Sequence, residues 1–263
     1  MPEGHKTHHL ARQHTQQFAG QTLRISSPQG RFTDDAKKID GVQLNTVTAV
    51  GKHLFYDFDN ELILQIHLGR YGKFRLLPNP PPSTVGAVRM RVIGEDHTLD
   101  LNGPTRCRVI DAQMQTEITD RLGPDPLAGG KKKEVRARIA SSRKTIGALL
   151  LDQSVVAGIG NIFRAEILFE SQVDPETPGE QLSDDAFDRI WKATLRQMKA
   201  GLRLGKIVSV TSREAGRSLA SLEGNARFRV YGHTDCPECG DAVQQITSGG
   251  RRLYCCNSCQ TNR

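Results

Sequence analysis

No run of the 263-residue sequence approaches the ~18 consecutive apolar residues that a membrane-spanning helix requires. The N-terminus also lacks the short apolar core of a secretory signal, so a soluble, cytoplasmic protein without membrane association is expected. There is no internal repeat and no low-complexity block, which excludes solenoid architectures. Cysteine is scarce where a disulfide framework would need it: five of the six fall in the last 28 residues. In a reducing compartment such a cluster points to metal rather than to bridges. Acidic residues are in deficit, 29 against 36 Lys and Arg, giving +7 and a pI near 9.2. That balance favours a polyanionic partner but would suit an ordinary basic protein as well.

At 37% hydrophobic and 25% charged residues the chain reads as globular, and its length suggests two modules with something smaller attached. Residues 2–19 read as a helix, with Pro and Glu suited to a first turn, Leu10, Ala11 and Phe18 for packing and Gly20 as the stop. Eight short runs follow: QTLRIS, VQLNTVTAV, HLFYDF, ELILQIHL, KFRLLP, VRMRVIG, HTLDL and RCRVID. Their alternation and β-branched content predict about eight strands in a sandwich or barrel. GPDPLAGGKKK carries no apolar period and reads as a linker. Beyond it EVRARIA, TIGALLLDQ, NIFRAEILFES, SDDAFDRIWKATLRQMKAGL and SREAGRSLASL read as helices, the fourth capped by Ser183.

The most specific local signal is CPECGDAVQQITSGGRRLYCCNSC. Cys236 with Cys239, and Cys256 with Cys259, form two C-x2-C knuckles separated by 16 residues, the spacing of a four-thiolate zinc ribbon with one structural zinc. So short a segment buries too little core to fold unaided, and metal would supply the difference. Cys255 is excluded because Cys255 to Cys259 would be C-x3-C. Between the knuckles SGGRRLY reads as a hairpin tip bearing two arginines, groups that pair with phosphate. Upstream, two helices joined by AGIGN have the order of a helix-turn-helix, and a Gly-rich turn entering a helix offers N–H groups to phosphate. By itself GxGN is ordinary turn chemistry. It follows, however, a run with Lys131, Lys132, Lys133, Arg136, Arg138, Arg143 and Lys144 against the single acid Glu134.

Taken together, MPEG at the start, GKHL at 51–54, HLGRYG at 67–72, LLLDQSVVAGIGNIFRAEILF at 149–169 and the terminal four-cysteine ribbon resemble the formamidopyrimidine-DNA glycosylase and endonuclease VIII family, in order and over nearly the whole chain. The resemblance implies a multi-domain α+β fold: an N-terminal helix with an eight-stranded antiparallel β-sandwich over 2–122, a linker over 123–134, a helical helix-two-turn-helix domain over 135–228 and a zinc ribbon over 229–263. It implies a bifunctional DNA glycosylase and abasic-site lyase of base excision repair, acting as a monomer on damaged DNA, duplex or single-stranded, at the nucleoid. Pro2, exposed by removal of Met1, would be the nucleophile that attacks C1′ and forms a Schiff base, with elimination at the 3′ and 5′ phosphates. A terminal amine titrates near ~8 against ~10.4 for lysine, so far more of it is neutral at pH 7. Glu3 matches the catalytic acid, and Lys52 the lysine that contacts the damaged nucleotide and its phosphate. Asn161 and Arg251 match the phosphate clamp. Lys144 and Glu166 match positions near the same turn, Glu166 as a structural group, and His67 is either a strand-end packing residue or a DNA contact.

The departures are equally informative. Where the family continues with a proline and a second acid, this chain has His5 and Lys6. His5, His8 and His9 on one helix lack the carboxylate or cysteine that would complete a metal site, so DNA contact or helix polarity is expected of them. Arg70 stands where the oxidised-purine enzymes carry a methionine that fills the hole left by the flipped base, and their Arg-Phe-Gly wedge is absent, with GPTRC near its place. Tyr71 fits the endonuclease VIII branch. Oxidised pyrimidines are therefore the expected substrates, ahead of oxidised purines or of a non-catalytic damaged-DNA-binding protein.

Overall fold

The computed structural model describes residues 2–260; Met1 and the last three residues of the expected ribbon lie outside them. The chain forms two compact units that divide between Arg121 and Leu122.

The first unit opens with α1 (Gly4–Phe18). Gly4, Thr7, Ala11, His14 and Phe18 are buried at helical spacing, which sets one stripe of the helix into the unit. The helix starts two residues later than the sequence predicts. Glu3 is its N-cap in extended conformation, and the Lys6 N–H already bonds the Glu3 carbonyl at 2.8 Å, so Pro2 stays outside the helix. Eight strands follow: β1 (Thr22–Ser26), β2 (Val42–Val50), β3 (His53–Phe58), β4 (Ile63–His67), β5 (Lys73–Pro78), β6 (Val88–Ile93), β7 (His97–Asn102) and β8 (Arg106–Ile110). All pairings are antiparallel, in the order β5-β7-β6-β1-β2-β3-β4-β8. β1 is the hinge of the sandwich: Thr22 and Leu23 pair with β2, whereas Arg24, Ile25 and Ser26 pair with β6. Leu10 and Phe18 of α1 share one core with Leu23, Leu44, Leu54, Leu64, Met90 and Leu101 from both halves.

Two helices of this unit have no counterpart in the sequence reading. α2 (Thr33–Ile39) buries Ala36 and Ile39 and carries acids in its first turn and lysines in its last, matching the helix dipole. Its Asp35 accepts the Val109 N–H of edge strand β8 at 3.0 Å. α3 (Ala112–Asp120) is capped by Asp111, which accepts the Met114 N–H at 2.8 Å.

The second unit contains α4 (Lys132–Ala140), α5 (Ile146–Leu149), α6 (Asn161–Glu170), α7 (Asp184–Leu204), α8 (Ser212–Ala215) and the hairpin of β9 (Gln244–Ser248) and β10 (Arg251–Cys255). α7 is closed at one end by Ser183, which accepts the Ala186 N–H at 3.2 Å, and at the other by Gly205 in the left-handed region. α4 begins inside the segment read as a linker, and the start of that segment is packed: Gly123 N–H bonds the Gln153 carbonyl and Ala157 N–H the Pro124 carbonyl. The expected helix TIGALLLDQ shrinks to α5, because after Leu150 the chain turns around the Gln153 side chain. SREAGRSLASL is broken by left-handed Gly216 into α8 and a 3₁₀ turn. The hairpin is not peripheral to this unit, since Leu253, Cys236 and Cys256 belong to the same core as Phe163, Leu168 and Phe187. No helix among the described residues is long and apolar enough to cross a membrane.

Candidate functional site

In the first unit Pro2 is half-buried and Glu3 fully buried at the N-terminal end of α1, the end where helix dipoles favour negative charge. The Thr7 hydroxyl, one turn on, lies 2.6 Å from the Gly51 carbonyl and 2.8 Å from that of Gly4. Gly51 and Lys52 form the two-residue turn between β2 and β3, with Gly51 at φ 56, a value that glycine adopts without strain. Thr7 thereby holds the Lys52 turn against the first turn of α1. His67, at the end of β4, pairs across the sheet with His53, the residue after Lys52; their rings meet edge to face at 4.9 Å. Burial first, then Lys52 and Arg106, lower the pKa of His67, and its Nδ1 has no hydrogen-bond partner among the described residues.

After His67 the chain makes a tight turn. The Gly72 N–H bonds the Leu68 carbonyl at 3.0 Å, and a Cβ on Gly72 would stand 2.3 Å from that oxygen. The turn pushes Tyr71 outward to 74% exposure, with the Arg70 guanidinium 5.4 Å from its ring centre. His5 is buried, and no grouping of metal-ligating side chains among the described residues includes His5, His8 or His9.

In the second unit the Gly-rich turn is tied by Gln153, whose amide donates to the Leu151 and Ile159 carbonyls and accepts from the Gly158 N–H. Asn161 begins α6 next to the Gly160 N-cap. Its Oδ1 accepts from Arg164 Nη2 at 2.7 Å, which leaves the NH2 side of the amide for a ligand. Arg164 is fully buried and is the residue the sequence reading missed. Its guanidinium also donates to the carbonyls of Gly147 (3.0 Å), Ser248 (2.9 Å), Arg251 and Arg252 (both 3.3 Å). One side chain therefore ties the start of α6 to the hairpin tip, where Gly249 and Gly250 both have positive φ and Arg251 is exposed. Lys144 is exposed, 3.6 Å from Asp152, whose pKa is lowered chiefly by its bond from Ser154 and further by this lysine. Glu166 is fully buried and accepts from Ser209 Oγ and from the N–H groups of Arg229, Val230 and Tyr231 at 2.5–3.0 Å.

The sulfurs of Cys236, Cys239, Cys256 and Cys259 lie within 4.8 Å of one another. Cys255 stays outside this group, paired with Gln244 in the hairpin; burial, then nearby acids and Cys256, push its thiol up to about 11.

Comparison with known proteins gives the class, DNA glycosylases that are also abasic-site lyases, and the family. Residues 1–110 match the family model described as formamidopyrimidine-DNA glycosylase N-terminal domain, and residues 122–213 the one described as its H2TH domain. The chain is 40% identical over 268 aligned residues to endonuclease 8 1 of Mycobacterium tuberculosis, covering 99% of this chain and 100% of that protein. It is 32% identical to the formamidopyrimidine-DNA glycosylase of Listeria monocytogenes, covering 90% and 87%. Among solved structures, the Lactococcus lactis formamidopyrimidine-DNA glycosylase bound to DNA with an abasic site superposes with a TM-score of 0.82 at 23% identity, covering 99% and 100%. The chain belongs to the formamidopyrimidine-DNA glycosylase and endonuclease VIII family of base excision repair.

Proposed function

We propose that this enzyme excises oxidised pyrimidines from DNA and cleaves the resulting abasic strand, with Pro2 as nucleophile. The observation that carries the reading is the Thr7–Gly51 hydrogen bond, because it joins the turn bearing Lys52 to the first turn of α1, the helix that Pro2 and Glu3 directly precede. Once Met1 is removed, the Pro2 ring nitrogen is a secondary amine. Attack on C1′ expels the base, the N–H proton of the Pro2 adduct passes to the departing base, and opening of the sugar, with O4′ protonated, leaves an iminium cation. Glu3 supplies the proton for ring opening and shuttles protons in the later steps. Loss of a C2′ proton then expels the 3′ phosphate, a second elimination expels the 5′ phosphate, and hydrolysis frees Pro2. Lys52 holds the phosphate of the damaged nucleotide. Asn161 and Arg251, with Lys144 nearby, bind backbone phosphates and so act on every sequence alike. His67 serves at the lesion end of the sheet.

The pyrimidine preference is supported by the end-to-end identity to an endonuclease 8 and by the outward Arg70–Tyr71 turn, which offers an aromatic ring for stacking where the purine-specific wedge is missing. The cysteine cluster fits zinc: tetrahedral Zn–S bonds of ~2.3 Å imply sulfurs about 3.8 Å apart, and Cys236–Cys259 and Cys239–Cys256 stand at 3.7 and 3.5 Å. Cys236, Cys239, Cys256 and Cys259 would hold the ion, which contributes folding energy and no chemistry at the lesion. The same reading gives a monomer working on nucleoid DNA in the cytoplasm, on duplex or single strands.

Borohydride trapping with abasic DNA tests the mechanism. A covalent adduct at Pro2 is expected, and a protein that cleaves without one would overturn the assignment. Parallel excision assays on thymine glycol and 8-oxoguanine duplexes test the substrate class, and a clear preference for the purine would reverse it.

A further inference from the structure

Beside the Lys52 turn, three side chains from neighbouring strands form a row. Arg108 Nε of β8 donates to Gln65 Oε1 of β4 at 2.8 Å, and Gln65 Nε2 lies 3.0 Å from His53 Nδ1 of β3. Gln65 is 1% exposed, so water does not compete for these bonds. The row has a single consistent polarity. A guanidinium only donates, so the amide oxygen must face Arg108 and the NH2 must face His53. Nδ1 is then the acceptor, and the ring proton sits on Nε2. A proton on Nδ1 would set one N–H against another. The ring plane is also fixed, stacked on Phe55 at 6.1 Å and 12° and met edge-on by His67.

The charged and titratable groups that face this ring are Lys52 from the turn, His67 from β4, and Arg106 and Arg108 from β8. Burial first, then these groups, hold the His53 pKa down to about 4. Among the described residues Nε2 makes no hydrogen bond, although the ring is only half-buried.

We infer that Arg108 and Gln65 hold His53 as a fixed Nε2–H donor to a phosphate oxygen of the DNA backbone at the Lys52 turn. The inference rests on the proposed role of that turn at the lesion. Phosphate is the acceptor the surroundings favour, because Lys52 and Arg106 attract an anion, whereas a neutral ring adds direction without adding one more positive charge to the group. His53 touches the DNA; Gln65 and Arg108 are positioning residues.

The test uses the full-length, zinc-loaded protein and a duplex with an uncleavable tetrahydrofuran abasic analogue. In the free protein, imidazole ¹⁵N shifts of His53 should report the Nε2–H tautomer with no titration between pH 5.5 and 8. An Nδ1–H tautomer, or titration in that range, overturns the inference. His53→Phe keeps the stack and removes the donor, so affinity should fall about tenfold, as for one hydrogen bond to a charged group, and His53→Asn should recover part of the loss. Unchanged affinity in a folded His53→Phe protein also overturns it. Gln65→Glu should accept from both neighbours, move the His53 proton to Nδ1 and make the ring titratable. Binding by this variant should tighten as pH falls from 8 to 5.5, and adding His53→Phe should abolish that dependence; a pH response identical to wild type counts against the row. Borohydride trapping separates the two readings. Failure to trap wild-type protein defeats the Pro2 mechanism while leaving the tautomer result standing, and intact trapping with unaltered binding by His53→Phe defeats this inference alone.

Discussion

Arg164 and Glu166, two residues apart on α6, are both fully buried and hold different loops. Arg164 orients Asn161 by taking its amide oxygen, which makes the identity of the remaining group decisive. Asn161→Asp should therefore keep or strengthen the contact to Arg164 while replacing the donor by an anion. Thermal stability is expected to hold, and affinity for any DNA to fall at least tenfold; binding equal to wild type would remove Asn161 from the interface. A second residue-scale effect concerns acid. His14, 1% exposed and bonded to the Tyr56 hydroxyl at 2.7 Å, has its pKa lowered from 6.5 to about 3, mainly by burial and further by Lys6 and His9. Because the folded pKa is depressed, the unfolded chain binds the proton first. The neutral ring's contribution is complete above pH 6.5 and declines as pH falls toward 3, by up to about 1.4 kcal/mol per unit. Denaturant melts between pH 7 and 4 should show this slope, reduced in His14→Phe with Tyr56→Phe.

At the scale of elements, the hairpin of β9 and β10 is the part most open to test. Arg251 projects from its tip while its carbonyl is held by Arg164. Arg251→Ala should weaken binding to all DNAs about equally and make the salt dependence shallower by roughly one counterion. An unchanged salt slope in titrations from low to moderate salt would refute the contact. β1 and β6 were legible because one buried face makes them alternate, β3 and β4 because they are short, largely apolar runs between turns, and α7 because it has both a cap and a long apolar stripe. α2 and α3 were not, since α2 buries only Ala36 and Ile39 and α3 buries no residue, so neither carries an apolar stripe to read. The site divides similarly. Pro2, Glu3 and the cysteines stand at short fixed spacings that a reader can see. Arg164 and the row of Arg108, Gln65 and His53 exist only once distant segments meet: Arg164 to the Ser248 carbonyl spans 84 positions and Arg108 to Gln65 spans 43.

For the whole molecule, the inclusion of Cys236 and Cys256 in the core of the helical unit ties the four-cysteine cluster to more than its own hairpin. Metal removal, or Cys256→Ser, is expected to lower the melting temperature of residues 122–260 and leave the melting of the helix and sandwich unit unchanged. Calorimetry of the full chain reads both transitions, and equal shifts in the two would contradict the shared core. The two cysteines left over have a practical consequence. Burial, first among the causes, raises Cys107 to about 12 and Cys255 to about 11, which keeps both as thiols rather than reactive thiolates near pH 7. With zinc added to fill the proposed four-cysteine site, the protein should be nearly inert to maleimides. A cysteine introduced in place of the exposed Tyr71 could then be labelled selectively, giving a dye whose emission tests whether this turn enters DNA.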